Sequence, residues 1–171
     1  STDVALNGQG APMIPVAESL LFSEYSLCLN IGGIVNVSAR VDDHYIAFDV
    51  SPANQVLNKL ASMSGQAFDQ DGLTARKGVL QPELILELNK LDYFNGQYPK
   101  SLDNNWIMKE LWPIIKSFDY SPEDKLNTFC NFIAERISQE IKSVCLKENT
   151  DFHGQSMLVT GGGAYNQYLM E

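Results

Sequence analysis

Residues 25–52 read YSLCLNIGGIVNVSARVDDHYIAFDVSP, and this stretch decides the fold. Three apolar or alternating runs, Tyr25 to Leu29, Ile34 to Val41 and Tyr45 to Val50, are separated by Gly32-Gly33 and by Asp42-Asp43. Period-two runs broken by turn residues predict a meander of three strands. The glycine pair allows positive backbone dihedrals at the first turn, and the aspartate pair with His44 supplies a polar tip for the second. Ser51-Pro52 then reads as a helix start, serine capping and proline in the first turn. Val56, Leu57, Leu60 and Ala61 form its apolar stripe before Gly65.

Further along, Asp71 to Lys77 is long enough for a turn or two of helix. Pro82 opens a helix with Leu84, Ile85, Leu88 and Leu91 on one face, and Tyr93 to Pro99 reads as a loop. Trp106, Ile107, Leu111, Ile114 and Ile115 recur at helical spacing, and Pro113 among them predicts a kink or break. Ser121-Pro122-Glu123-Asp124 combines a cap, a first-turn proline and acidic residues. The stripe Leu126, Phe129, Ile133, Ile137, Ile141, Val144 then carries the longest helix to about Cys145. Met157 to Thr160 is a buried strand ending in Gly161-Gly162-Gly163, with a helix beginning near Asn166. This order gives an α/β fold, a mixed sheet of a three-strand meander plus a parallel strand with helices packed on it. The last helix has little chain left to cover its apolar face, so the C-terminus reads as truncated.

The 171 residues are 44% hydrophobic, enough for one sizeable core. With 12 Lys+Arg against 21 Asp+Glu, the net charge of −9 argues against a nucleic-acid partner, which needs a basic surface. No apolar run approaches the roughly 20 residues that span a bilayer, and the polar opening does not resemble a signal peptide. No membrane partner is expected. Cys28, Cys130 and Cys145 are odd in number and set among apolar residues, which fits buried thiols in a reducing cytoplasm. His44 and His153 lack metal-ligand spacing and read as surface residues. Glu83, Glu87, Glu135 and Glu140 read as solvated helix faces.

Gly161, Gly162 and Gly163, between a strand and a helix, leave backbone amides free to approach a phosphate or a purine; a tight turn alone would use the same residues. Asn30-Ile31-Gly32-Gly33-Ile34-Val35-Asn36 forms a hairpin whose N–H groups can wrap phosphate oxygens. Asn30 and Asn36 put amides where strands usually carry apolar or β-branched side chains. Asp49, at the end of the third strand, can reach a hydrated magnesium ion, or can serve as a turn residue. Asp3, beside a glycine-rich loop, is a terminal charge or a general base. Tyr93, Phe94 and Tyr98 can stack on a ligand or anchor a loop.

Taken in order, Asp3-Val4-Ala5 with GQGAP (8–12), LNIGGIVN (29–36), FDVSPAN (48–54), DQDG (69–72), PKS (99–101) and GGGAYN (161–166) resemble the anhydro-N-acetylmuramic acid kinase family. The blocks span nearly the whole chain. The resemblance implies the actin, Hsp70 and sugar-kinase fold, in which two α/β domains close over ATP and Mg2+. It assigns residues 1–24 to the inter-domain and substrate side and 25–171 to the nucleotide-binding second domain. It implies that Gly32 and Gly33 line the phosphates and Gly161, Gly162 and Gly163 the adenosine, that Asn30, Asn36 and Asn166 are also nucleotide-binding, and that Asp49 lies at the nucleotide near its metal, held through water, or at the domain hinge. Gln9, Lys100 and Ser101 fall on the amino-sugar side, and Asp3 matches the family's catalytic base. The implied reaction hydrolyses the 1,6-anhydro ring and phosphorylates O6, a cytoplasmic step of cell-wall recycling, and the resemblance admits a homodimer.

Two blocks depart from the family's usual pattern. FDTGPGN is FDVSPAN here, so Val50 replaces a threonine and Ser51 and Ala53 replace glycines. PKSTGRE is Pro99-Lys100-Ser101-Leu102-Asp103-Asn104-Asn105, without its cationic residue. These changes set a second expectation beside the kinase, a silent relative that binds nucleotide or sugar without turnover. At about half the family's two-domain length, the fragment alone is expected to be inactive.

Overall fold

A computed structural model describes residues 24–171 of the chain. Strand β1 (Leu27–Ile31) pairs antiparallel with β2 (Ile34–Val41), and β2 pairs antiparallel with β3 (His44–Pro52). Strand β4 (Met157–Thr160) adds to the other side of β1 in parallel, giving the order β3-β2-β1-β4. The expected meander and parallel strand therefore both form. Leu27, Cys28, Leu29 and Ile31 are all buried, as in strands covered on both faces. Asp42 takes a φ of +48° in the β2–β3 turn, a conformation that its short polar side chain tolerates.

The Ser51-Pro52 helix start is corrected. Both residues end β3, with Val35 opposite Ser51 and Ile34 opposite Pro52. Helix α1 (Asn54–Ser62) begins two residues later, with Ala53 at its N-cap. Strand pairing outweighs the local capping signal because Pro52 closes the ladder and needs no N–H of its own there. The amides of Ala53, Asn54 and Gln55 instead donate to the Gly32 and Gly33 carbonyls at 2.8–3.2 Å, so the first hairpin caps α1.

Two 3-10 turns, Gln70–Gly72 and Ala75–Lys77, lead to α2 (Pro82–Asn89). The stretch expected as a loop from Tyr93 instead includes a short helix, α3 (Asp92–Asn95). Around Pro113 the break takes a definite form: α4 (Asn104–Trp106) passes through a π-helical turn at Ile107–Leu111 into α5 (Trp112–Ser117). The wider turn accommodates a proline that can neither donate to the preceding turn nor clear its carbonyl. Helix α6 (Pro122–Lys147) opens with Ser121 Oγ accepting from the Asp124 amide at 3.1 Å. It packs on α1 and β3, burying Leu126, Phe129, Phe132 and Ile133 completely. After β4 come a 3-10 turn at Gly162–Tyr165 and α7 (Gln167–Met170).

Glu140 is also corrected: it is buried inside α6's contact with the rest of the domain. Cys28 and Cys130 are buried and Cys145 is half-buried, with no disulfide among the described residues, and His44 and His153 are exposed. No helix among the described residues is long and apolar enough to cross a membrane.

Candidate functional site

Register brings one half-buried polar row across all four strands. Thr160 lies opposite Asn30, Asn30 opposite Asn36, and Asn36 opposite Asp49. Directly paired residues share a face, so four polar side chains line up in one row across the sheet. A β-bulge leaves Val50 without a counterpart, which turns Asp49 to the face of Asn36. Asn36 Nδ2 donates to Asp49 Oδ1 at 3.0 Å, while Asn36 Oδ1 is buried with no partner among the described residues.

The β1 end of the row meets the two glycine turns. Gly161 has a φ of +85° and lies so close to β1 that a Cβ there would stand 2.6 Å from both Asn30 Oδ1 and the Ile31 carbonyl oxygen. A Cβ on Gly163 would strike the Ile31 side chain. Asn54 bridges the turns: its Nδ2 donates to the Ile31 carbonyl at 3.4 Å and lies 3.6 Å from where a Cβ on Gly162 would be. Gly161 and Gly163 thus serve close packing, and Gly162 is the glycine of the three with room before it.

That room opens into a cleft of about 430 Å³ between α1, the first 3-10 turn and the triple-glycine turn, lined by Asn54, Leu57, Asn58, Phe68, Asp69, Gln70, Asp71, Gly162, Tyr165 and Asn166. Its size suits a small molecule. Phe68 and Tyr165, at the rim, are 58% and 80% exposed. None of these lining residues is lysine or arginine. The floor is braced from below. Asp69 accepts the Thr74 and Ala75 amides at 2.8 Å each, and Gly72, at φ +72°, sits against the Asn166 and Tyr168 side chains. Asn166 is buried and turned inward, its Oδ1 accepting the Leu169 amide at 3.1 Å as the cap of α7. Asn127 of α6 donates to the carbonyls of Ala75 and Gly78 at 3.0 Å and reaches the Tyr168 hydroxyl at 2.7 Å.

At the other end of the row, Asp49 is held by the PKS segment. Its Oδ2 accepts from Ser101 Oγ at 3.0 Å and the Leu102 amide at 2.8 Å, and its own amide donates to the Lys100 carbonyl at 3.0 Å. The Tyr93 hydroxyl donates to the Asp49 carbonyl at 2.6 Å. Burial, reinforced by the nearby Asp49 and Glu140 carboxylates, raises the Tyr93 phenol well above its ordinary range and keeps it a donor. Lys100 points inward, its Nζ 2.6 Å from Glu140 Oε1, with both side chains about nine-tenths buried. Tyr93, Phe94 and Tyr98 act as packing anchors: Phe94 packs edge-on against Phe132, and Tyr98 stacks on Phe48.

Of the residues singled out from sequence, Asn30, Asn36, Asp49, Gly32, Gly33, Gly161, Gly162, Gly163 and Asn166 come together around the polar row and the cleft. Lys100 and Ser101 join them from the Asp49 side. Asp3 and Gln9 lie outside the described residues. Sequence reasoning missed Asn54, Asn58, Phe68 and Tyr165. Asn54 and Tyr165 lie within the FDVSPAN and GGGAYN blocks, and Phe68 immediately precedes DQDG; each block marked its neighbourhood without saying which side chains face the cleft.

A four-stranded mixed sheet with helices packed on it, glycine turns at its strand ends and a cleft beside them, is consistent with a domain of the actin-like ATPase fold. Within that class the chain belongs to the anhydro-N-acetylmuramic acid kinase family, whose family model matches residues 1–171. It is similar to the anhydro-N-acetylmuramic acid kinase of Aliivibrio fischeri, 34% identical over 175 residues covering 99% of this chain and 46% of that one. The kinases of the same name from Francisella tularensis subsp. novicida and Mannheimia succiniciproducens are 33% and 32% identical over 99% of the chain, covering 46% and 47% of their own lengths. The chain thus spans about half the length of the curated relatives it matches.

Proposed function

We propose that this chain carries the nucleotide-binding part of an ATP-dependent kinase that opens the 1,6-anhydro ring of anhydro-N-acetylmuramic acid and phosphorylates O6. The observation that carries the reading is the convergence on one place of the polar row, the two glycine turns and the cleft with its aromatic rim. In this reading residues 25–171 form the nucleotide-binding domain, and 1–24 belong to the sugar side together with Gln9 and Asp3.

Phe68 and Tyr165 would flank the base and Asn54 and Asn58 would meet the ribose, while Gly32 and Gly33, on the hairpin that caps α1, would lie on the phosphate side. Because no lysine or arginine is among the cleft's described lining residues, the phosphate charge calls for a cation from elsewhere. The residues fit a hydrated magnesium ion. Among the described residues Asp49 Oδ1 takes one donor and keeps a free lone pair, and beside it Asn36 Oδ1 is an acceptor without a partner. Magnesium, when bound, neutralises charge on the transferred phosphoryl group. Ser101 and the Leu102 amide hold the Asp49 carboxylate in one orientation. Asp3 would take the proton of the water that adds to C1. As the C1–O6 bond breaks, O6 accepts the γ-phosphoryl group and ADP leaves, so water, sugar and ATP are each consumed once.

The test is ADP release by the full-length protein with Mg-ATP, with and without the anhydro sugar, in wild type and Asp3→Asn. Sugar-dependent release that Asp3→Asn abolishes, with nucleotide affinity nearly unchanged, is expected. Nucleotide binding without sugar-dependent release in wild type would defeat the kinase reading, and turnover retained in Asp3→Asn would remove Asp3 as the base.

A further inference from the structure

We infer that Glu140 is a positioning residue for the proposed phosphoryl transfer, acting through its buried ion pair with Lys100 to hold the segments that orient Asp49. The inference rests on the assignment of Asp49 to the metal side of the site. Apart from Asn36 and the sheet ladder, the hydrogen bonds to Asp49 come from two short segments. Tyr93 bonds its carbonyl, and residues 100–102 bond its amide and its carboxylate.

Both segments are tied to a single ammonium. Lys100 Nζ donates to the Tyr93 carbonyl at 3.2 Å, to the Gly96 carbonyl at 3.1 Å and to Glu140 Oε1 at 2.6 Å, and it lies 4.9 Å from the centre of the Tyr93 ring. Glu140 is its carboxylate partner and comes from α6, a 26-residue helix packed on α1 and β3. The chain of contacts therefore runs from a rigid helix to Lys100, from Lys100 to the 93–102 segment, and from that segment to the Asp49 carboxylate. A buried ion pair adds little net stability compared with apolar side chains of similar size, but it demands one geometry. Here that geometry decides where one backbone carbonyl, two hydroxyls and one amide stand around Asp49. Positioning a charged group for phosphoryl transfer is where such control tells, since small displacements at a reacting centre cost rate steeply.

Two variants of the full-length protein test this. Glu140→Gln breaks the pair, and Lys100→Met with Glu140→Leu replaces it by apolar side chains that keep the volume. Amide hydrogen exchange at Asp49 and Leu102 should accelerate in both, while exchange at Val37 and Ile133 stays at the wild-type rate. The kcat for sugar-dependent ADP release should fall by about tenfold or more, with KM for ATP within about twofold of wild type. A double variant with wild-type kcat, or with unchanged exchange at Asp49 and Leu102, would overturn the inference. Should Glu140→Gln fail to fold, the double variant decides alone. If wild type releases no sugar-dependent ADP, the kinase reading falls, and the exchange rates still decide whether Glu140 holds Asp49.

Discussion

Alanine at Gly161 and alanine at Gly162 should produce opposite phenotypes from adjacent positions. Gly161 sits at φ +85° and ψ 167°, a region essentially confined to glycine and costing other residues about 1–3 kcal/mol. Its new Cβ would stand 2.6 Å from the Ile31 carbonyl oxygen and 2.7 Å from its carbon. That carbonyl belongs to a paired strand and also accepts from Asn54, so it cannot yield as a side-chain tip would. Overpacking of this kind adds about 1–3 kcal/mol, for a total of about 2–6 kcal/mol. Against a typical domain stability of about 5–15 kcal/mol, Gly161→Ala should be severely destabilised. Gly162 differs: its nearest obstacle is Asn54 Nδ2 at 3.6 Å, an ordinary contact. Gly162→Ala should change stability by no more than about 0.5 kcal/mol. Its methyl group would project beside Asn54 into the cleft and weaken nucleotide binding by about 1 kcal/mol, roughly fivefold. Calorimetric unfolding and ATP titration of both full-length variants measure the two effects. A Gly161→Ala protein melting with wild type, or a Gly162→Ala protein binding ATP with wild-type affinity, would refute this account of the triple-glycine turn.

Phe68→Ala and Tyr165→Ala should each leave the melting temperature near wild type, because both rings are largely exposed. Each should weaken ATP binding by about 0.5–1.5 kcal/mol if the rings flank the base, as titration calorimetry would register. A pH effect is also expected. Burial, helped by the charge of Asp69, pushes the Cys130 thiol from 9.0 up to about 12. The folded state then keeps a proton that the unfolded chain releases, so this contribution is intact below about pH 9 and is lost as pH rises toward about 12. Urea titrations between those limits should show a steeper loss of stability in wild type than in Cys130→Ala, and parallel curves would contradict it.

What could be read from sequence was whatever depends on neighbours along the chain. The alternation in Ile34–Val41, the glycine and aspartate pairs and the Ser121-Pro122 cap are local signals, and each appears where it was expected. Ser51-Pro52 shows the limit. It carries a strong local helix signal, yet Val35 and Ile34 of β2 hold it in the sheet, and no window confined to residues near 51 contains that partner. Glu140 failed for the same reason: beside Ser138 and Gln139 it looks solvated, and it is buried because Lys100, 40 residues away, brings it a charge. The asparagines of the polar row were legible because they interrupt apolar strands. Their alignment with Asp49 was not, since it depends on a bulge that shifts register by one residue at Val50.

That bulge bears on whether the altered blocks could silence the site. Val50, Ser51 and Ala53 have no exposed surface, and Ser51 Oγ donates to the Pro52 carbonyl at 2.9 Å. Three of the departures therefore lie inside the domain, where an added side chain is absorbed by packing between β3, β2 and α1. The same block keeps Asp49 and Asn54, the two residues whose side chains reach the polar row and the cleft. In PKSLDNN, Leu102 is buried and its amide still bonds Asp49, while Asp103 accepts from the Trp106 amide at 2.7 Å to start α4. The replacements thus leave the donors around Asp49 and the lining of the cleft in place. What the block does lose is the cation, and Asn104, which stands at its position, is exposed, so any effect on activity falls outside the Asp49 cradle and the cleft lining.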